Sequence, residues 1–291
     1  MGWRRISTAT CRENSLADAN DKENPIDCHG PLEVPAPMTL PLLQDTIEDS
    51  EFVVVSHERR TPVIVEIGLR PVNEQLVYLP GQYVLISDTA YDIPVRSYSV
   101  ANAPDPTGLI TILVTEVSGG ATSTWLTRHL LVGDTVLVSG PYGTFVRDPA
   151  TPLSTTCLAG GSGLAPIRAL AQDAMSNGLA RPFTVIFSAR TERDLISQDL
   201  FDSWSAQSPD FRFIRTLTRS EGAPPLGRIP DMLPDLAPDL SGHEVFVCGS
   251  PGFVKACARA ARSAGAEAAL VHTEEFFAEP EPWTSASDME A

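Results

Sequence analysis

An antiparallel β-barrel followed by an α/β doubly wound parallel sheet is the fold class this sequence predicts. Three observations carry it. Short alternating strands, punctuated by Gly and Pro, run from Phe52 to Val138. After Pro152, apolar strands alternate with helical stretches. Each half also holds a glycine-rich turn leading into a helix, at Gly119-Gly120 and at Gly160-Gly161. Punctuated short strands argue a barrel or sandwich, and strand–helix alternation argues a parallel sheet. The 291 residues suffice for two such domains of about 100–150 residues each.

Residues 1–47 are rich in Asp, Glu, Asn and Pro and show no sustained period, so they read as a disordered or loosely packed segment. Pro31 to Pro41 reads as an extended linker. Residues 48–150 form the expected barrel, with strands at 52–56, 63–69, 83–87, 97–101, 110–115 and 135–138 and one helix at 123–131. Pro80-Gly81, Pro104-Asp105-Pro106, Gly133-Asp134 and Pro141-Tyr142-Gly143 supply the turns. Residues 151–278 form the expected α/β domain, with strands at 156–159, 183–188, 211–218, 245–248 and 269–272. Its helices fall at 163–175, 194–204 and 251–264. An acidic, Pro-containing tail occupies 279–291.

Composition excludes several classes. The net charge of −16 argues against the extended basic face that a phosphate backbone needs, so nucleic-acid binding is not expected. No apolar run approaches the roughly 18–20 residues that span a bilayer, and no secretory signal opens the chain. A soluble cytoplasmic protein, with a monomer favoured, is the expectation. The five cysteines (Cys11, Cys28, Cys157, Cys248 and Cys257) are odd in number and scattered. They form neither a disulfide framework nor a zinc set, and they lack the spacing of a plant-type iron–sulfur cluster, so no metal site is expected.

The glycine turn Gly160-Gly161-Ser162-Gly163-Leu164-Ala165-Pro166 follows a strand and opens a helix. Glycine permits close backbone approach, and a helix amino terminus offers free N–H groups to a diphosphate. The turn is not the usual dinucleotide fingerprint, because Pro166 stands at the last glycine position and Ser188-Ala189-Arg190 replaces an acidic strand end. It lacks a P-loop lysine, and Leu164 excludes a hydrolase elbow. By itself it is equally a tight structural turn. A second strand-to-helix site lies at Cys248-Gly249-Ser250-Pro251, where Cys248 alone reads as a core cysteine.

In the barrel half, Arg96-Ser97-Tyr98-Ser99 alternates across a strand. Arginine can fork onto a pyrophosphate, tyrosine can stack on a planar ring, and serine can hydrogen-bond a ring nitrogen. Alone, the tetrad is ordinary. Gly119-Gly120-Ala121-Thr122-Ser123 adds a second glycine-led helix start suited to phosphate. Arg190 and Arg219 are each either a partner for a nucleotide 2′-phosphate or a solvated arginine at a strand end.

Taken together, in order, these motifs resemble the ferredoxin–NADP⁺ reductase family, and among its members the reductase components that feed Rieske-type oxygenases. The resemblance covers about residues 50–277. It rests on Arg96-x-Tyr98-Ser99, Gly120-x-x-Ser123, Gly133-Asp134, Gly140-Pro141-Tyr142-Gly143-x-Phe145, Gly160-Gly161-x-Gly163-x-x-Pro166, Ala189-Arg190-Thr191-x-x-Asp194-Leu195, Cys248-Gly249-x-Pro251 and Glu274-x-Phe276.

The resemblance implies a flavin-binding barrel, with FAD favoured over FMN, and a sheet binding NADPH or NADH. It implies that Arg96 and the backbone of Gly119, Gly120, Thr122 and Ser123 hold the flavin diphosphate. Ser97 lies among them, Tyr98 stacks on the isoalloxazine, and Ser99 hydrogen-bonds flavin N5. Gly161, Gly163 and Pro166 shape the nicotinamide-nucleotide pocket, with Gly249 beside it. Cys248 lies by the nicotinamide C4, and Glu274 completes the catalytic set with Ser99 and Cys248. Phe276 or Phe277 covers a flavin face. Phthalate-type members carry their own plant-type ferredoxin domain, and no cluster motif is present here. The expected acceptor is therefore a separate iron–sulfur protein, a ferredoxin or an oxygenase component. A stand-alone flavin or quinone reductase and a regulatory flavoprotein subunit are the alternatives. A local basic patch around Arg59 and Arg60 is the candidate docking surface for an acidic partner.

Overall fold

A computed structural model describes residues 46–90, 92–220 and 226–277. These all fall within one compact unit. The expectations for residues 1–45 and for the acidic tail lie outside the described residues.

The first half is a near-closed barrel. Its strands are β1 (Ile47–Arg59), β2 (Ile64–Pro71), β3 (Tyr83–Ser87), β4 (Arg96–Ser99), β5 (Ile110–Thr115) and β6 (Thr135–Tyr142). They order as β4-β3-β6-β1-β2-β5, with every pairing antiparallel. A bridge between Val100 and Ile112 draws the exit of β4 back toward β5. The period-2 pattern explains the closure. Phe52, Val54, Val65, Ile67, Val84, Ile86, Ile112, Val136 and Val138 all point inward and exclude water from a single cluster. β1 is longer than its apolar core at 52–56 suggests, because the polar stretch at 47–51 pairs with β6 through its backbone. Helix α1 (Ala121–Arg128) follows β5.

The second half carries β7 (Ser154–Gly160), α2 (Leu164–Ser176), β8 (Phe183–Ala189), α3 (Gln198–Gln207), β9 (Phe211–Leu217), α4 (Ile229–Leu236), β10 (His243–Gly249), α5 (Pro251–Ser263) and β11 (Val271–Glu275). The sheet is parallel throughout and ordered β11-β10-β7-β8-β9. The strand order therefore reverses between β7 and β10. Ligands of open α/β sheets bind at such a reversal, beyond the carboxyl ends of the strands.

In the second half, α3, α4 and the last strand depart most from expectation. α4 has no counterpart among the expected helices, and it carries Pro230 and Pro234. It forms since Pro230 lies in the first turn and Ile229 and Leu233 bury one face completely. α3 starts at Gln198 rather than 194, because Thr191 and Asp194 cap a separate short 3₁₀ turn at 192–194. The last strand runs from 271 to 275 rather than 269 to 272. Ala268–Leu270 are a 3₁₀ turn, and the polar run Thr273-Glu274-Glu275 carries the pairing.

The halves share a packed interface. Ile64, Leu113 and Phe145 of the barrel join Leu164, Ile167, Leu170 and Phe246 in one buried cluster. Phe145 and Phe246 meet edge to face at 5.2 Å.

Candidate functional site

β4 ends on Ser99, which is buried at the seam between the halves. Its hydroxyl donates to Glu274 Oε1 at 2.5 Å, joining barrel to sheet across 175 residues of sequence. Glu274 lies on β11, and the parallel ladder sets it directly opposite Cys248 at the end of β10. Three residues distant in sequence are thus brought together by β4, β10 and β11. Burial pushes the Glu274 carboxyl up to about 7, with the Ser99 hydrogen bond opposing it. Burial, and then the charge of Glu274, raise Cys248 well above the ordinary thiol range. Cys248 therefore remains a neutral thiol rather than a nucleophilic thiolate.

The rest of β4 alternates as its sequence requires. Tyr98 pairs with Val84 and Arg96 with Ile86, the row that packs toward the barrel core. Burial keeps the Tyr98 phenol neutral by raising its titration, while Arg96 acts in the opposite direction. Arg96 is half-buried and donates to Val95 O at 2.9 Å. Ser97 is exposed. Ser99 pairs with Tyr83, whose ring meets that of Tyr142 at 5.8 Å. This aromatic pair beside Ser99 was not foreseen. Tyr142 was visible only as part of a barrel-closing turn, and Tyr83 only as a strand residue.

The helix amino termini separate into two kinds. α3 and α4 each carry an aspartate in the first turn, and the 3₁₀ turn at 192–194 carries Glu192 and Asp194. α1, the Gly161–Gly163 turn with α2, and α5 have neither an acidic residue nor a side-chain cap there. Their opening N–H groups and positive dipole ends remain for an anion. Those are the termini led by Gly119-Gly120, by Gly160 to Gly163 and by Gly249.

The hydroxyls at the α1 terminus are already engaged. Thr122 Oγ1 donates to Pro94 O at 2.5 Å, and Ser123 Oγ accepts from Val117 N at 3.1 Å. What α1 offers a phosphate is backbone N–H. At the second terminus, Gly161 has φ +57 with open space where a side chain would be, so backbone can approach a ligand closely. Gly163 has a different reason: a methyl group there would stand 2.4 Å from Cys248 O. Pro166 is buried in the first turn of α2, where its missing N–H costs nothing. These cradles fit a flavin diphosphate on the barrel and a nicotinamide-nucleotide diphosphate at the strand reversal.

At the ends of β8 and β9, Arg219 N donates to Arg190 O at 2.8 Å, so the two arginines are neighbours. Arg190 Nη2 is held by Asp194 Oδ1 at 2.9 Å, whereas the Arg219 side chain is exposed. Phe276 donates its N–H to Gly249 O and packs on the interface cluster, while Phe277 is 74% exposed. Arg59 and Arg60 do not form an open basic patch. Arg60 pairs with Glu58 and Glu66, and Arg59 lies 3.8 Å from Glu116. Their carboxylate neighbours cancel the positive field expected there.

Two family models match the chain: an oxidoreductase FAD-binding domain over residues 50–146 and an oxidoreductase NAD-binding domain over residues 157–259. Reductase component 1 of terephthalate 1,2-dioxygenase from a Comamonas species is 33% identical over 231 residues, covering 78% of this chain and 68% of that protein. Ferredoxin–NADP reductase B of Sorangium cellulosum is 33% identical over 242 residues, covering 79% of this chain and 98% of that protein.

The chain belongs to the ferredoxin–NADP⁺ reductase family.

Solved structures agree. A cytochrome P450 reductase from Amycolatopsis superposes with a TM-score of 0.74 at 27% identity, over 80% of this chain and 71% of its own. The ferredoxin reductase of carbazole 1,9a-dioxygenase gives 0.72 at 25% identity, over 81% and 71%. This ferredoxin reductase homologue is therefore an oxidoreductase with an FAD-binding barrel and an NAD(P)-binding sheet. It spans 62% of a propane 2-monooxygenase reductase component from Mycolicibacterium goodii. Among the described residues, no helix is long and apolar enough to cross a membrane, and no group of His, Cys, Asp and Glu is arranged to hold a metal ion.

Proposed function

We propose that this reductase takes a hydride from NAD(P)H at a centre made by Ser99, Cys248 and Glu274. We further propose that it delivers electrons singly to a separate iron–sulfur protein, a ferredoxin or an oxygenase component. The observation that carries the reading is the Ser99–Glu274 bond with Cys248 opposite, because it unites the flavin half with the nicotinamide half. When bound, FAD accepts a two-electron hydride and releases electrons one at a time.

The chain's own residues supply placement and protons. Arg96 and the α1 N–H groups hold the flavin diphosphate, and Tyr98 flanks its ring. Ser99 Oγ holds its proton on Glu274 Oε1, and Glu274 can take or return that proton near neutral pH. Cys248, neutral and buried, offers a small polarisable wall for the nicotinamide ring. Gly161, Gly163, Pro166 and Gly249 shape the pocket of its diphosphate. Phe276 is partly buried against the interface cluster, whereas Phe277 is exposed and is the aromatic better placed to lie on the flavin. Arg219, rather than the Asp194-bound Arg190, is the side chain available to a 2′-phosphate. The described cysteines are free and buried, which fits a reducing cytoplasm. The names of the reductase-component relatives support an oxygenase-linked acceptor.

Anaerobic titration tests the reading. Yellow, FAD-loaded protein should be bleached by NADH or NADPH, and an iron–sulfur protein from the same source should restore the colour. Protein that cannot be loaded with FAD would overturn the centre. Bleached protein reoxidised by quinone or free flavin, but by no iron–sulfur protein, would overturn the acceptor.

A further inference from the structure

Arg168 is 6% exposed, on α2 one turn beyond Leu164. Burying a guanidinium costs several kcal/mol unless its donors are matched, so its partners matter. Nε donates to Ala101 O at 2.6 Å, Nη1 to Ser197 Oγ at 3.0 Å, and Nη2 to Glu66 Oε1 at 3.1 Å. Glu66 belongs to β2 of the barrel and is gripped again by Arg60 Nε at 2.8 Å. Gln172 Oε1, one turn further along α2, accepts from Ala103 N at 3.1 Å. Two α2 side chains thus hold the segment leaving β4.

The contacts close a ring around the centre. Ser99 bonds Glu274, Glu274 lies opposite Cys248, and Cys248 O rests against Gly163. Gly163 leads into α2, whose Arg168 returns to Ala101, just past Ser99 on the same chain. Ser99–Glu274 belongs to the reacting site itself. Arg168 lies outside it, and its hydrogen bonds to Ala101, Ser197 and Glu66 reach neither cofactor cradle. Buried ion pairs contribute little net stability, and their best-attested role is to fix one register among several. A rigid fork is suited to that role, because its donors are set in one plane.

We propose that Arg168 is a positioning residue: by tying α2 to Ala101 and Glu66, it sets the distance between Ser99 on the barrel and Cys248 and Glu274 on the sheet. The proposal rests on the hydride-transfer reading above. A misplacement of about 1 Å between reacting groups can slow a reaction by about a hundredfold, so loss of the tie shows in the transfer step.

Anaerobic stopped-flow reduction of Arg168→Gln separates the two ideas. The limiting rate of flavin reduction should fall about tenfold or more, while nicotinamide Kd moves less than about threefold. The long-wavelength charge-transfer band of the nicotinamide–flavin complex should weaken. In the FAD-free protein, amides of Val100 and Ala101 should exchange faster with deuterium. Arg168→Lys should recover part of the rate. A limiting rate within about twofold of wild type, or a loss entirely in Kd, overturns the positioning role. Glu66→Ala removes the barrel carboxylate that Arg168 Nη2 grips and is read the same way if Arg168→Gln does not accumulate. Ser99→Ala is the control for the underlying reading. A fast Ser99→Ala protein sinks the hydride-transfer centre, whereas a slow Ser99→Ala with a fast Arg168→Gln sinks the tie alone.

Discussion

Burying the Glu274 carboxyl moves its titration to about 7, so near neutrality Oε1 alternates between accepting from Ser99 and carrying its own proton. The unfolded chain releases that proton around 4.5, the folded chain around 7. The stability tied to it is whole below 4.5 and is lost as pH rises through 7. Glu274→Gln should therefore lose less melting temperature than wild type between about pH 5 and pH 8. Equal losses would show that the carboxyl does not titrate in this window. The neighbouring hydroxyl is tested by rate. Ser99→Ala should keep its FAD and slow anaerobic reduction about tenfold, roughly 1.4 kcal/mol of barrier. At the far end of the nicotinamide site, Arg219→Ala should raise KM for NADPH and leave NADH nearly untouched. Parallel changes would remove Arg219 from reading the 2′-phosphate.

Among the elements, the two glycines of the nucleotide turn act for unlike reasons and should fail differently. Gly163→Ala forces a methyl group against Cys248 O and should cost about 1–3 kcal/mol, seen as a lower melting temperature. Gly161→Ala meets nothing and costs only the left-handed backbone strain, about 1–2 kcal/mol, so its main effect should be on nicotinamide KM. Similar melting losses with no KM difference would refute the distinction. Such detail was invisible beforehand, because both residues read alike as glycines before a helix. The barrel and the alternating sheet were legible because period 2 and period 3.6 leave apolar residues at fixed spacings. α4 was not, since two prolines in eight residues mask a helix that only its buried face sustains. Ser99, Cys248 and Glu274 were legible as ordered motifs. The resemblance grouped them in one centre, but the direct Ser99–Glu274 bond was not legible, because the register of β11 depends on backbone pairing by Thr273-Glu274-Glu275, which looks like a polar tail. Tyr83 and Tyr142 escaped because their partnership exists only across the β3–β6 ladder.

For the whole molecule, charge decides how an acceptor arrives. The chain carries −16, and Arg59 and Arg60 are neutralised by Glu58, Glu66 and Glu116. With an acidic iron–sulfur partner, association should quicken as salt rises from low to about 0.2 M, because screening relieves like-charge repulsion. A rate that falls with salt would reveal an attractive basic patch elsewhere. The Ser99–Glu274 contact also has a meaning in time. A ribosome makes the barrel first and β11 last among the described strands. While the chain is growing, the barrel can gather its residues, but Ser99 has no carboxylate to meet until residue 274 emerges. The centre proposed at Ser99 is therefore assembled only after β11 has been made. A fragment stopped before β11 would hold the barrel half without the Ser99–Glu274 bond.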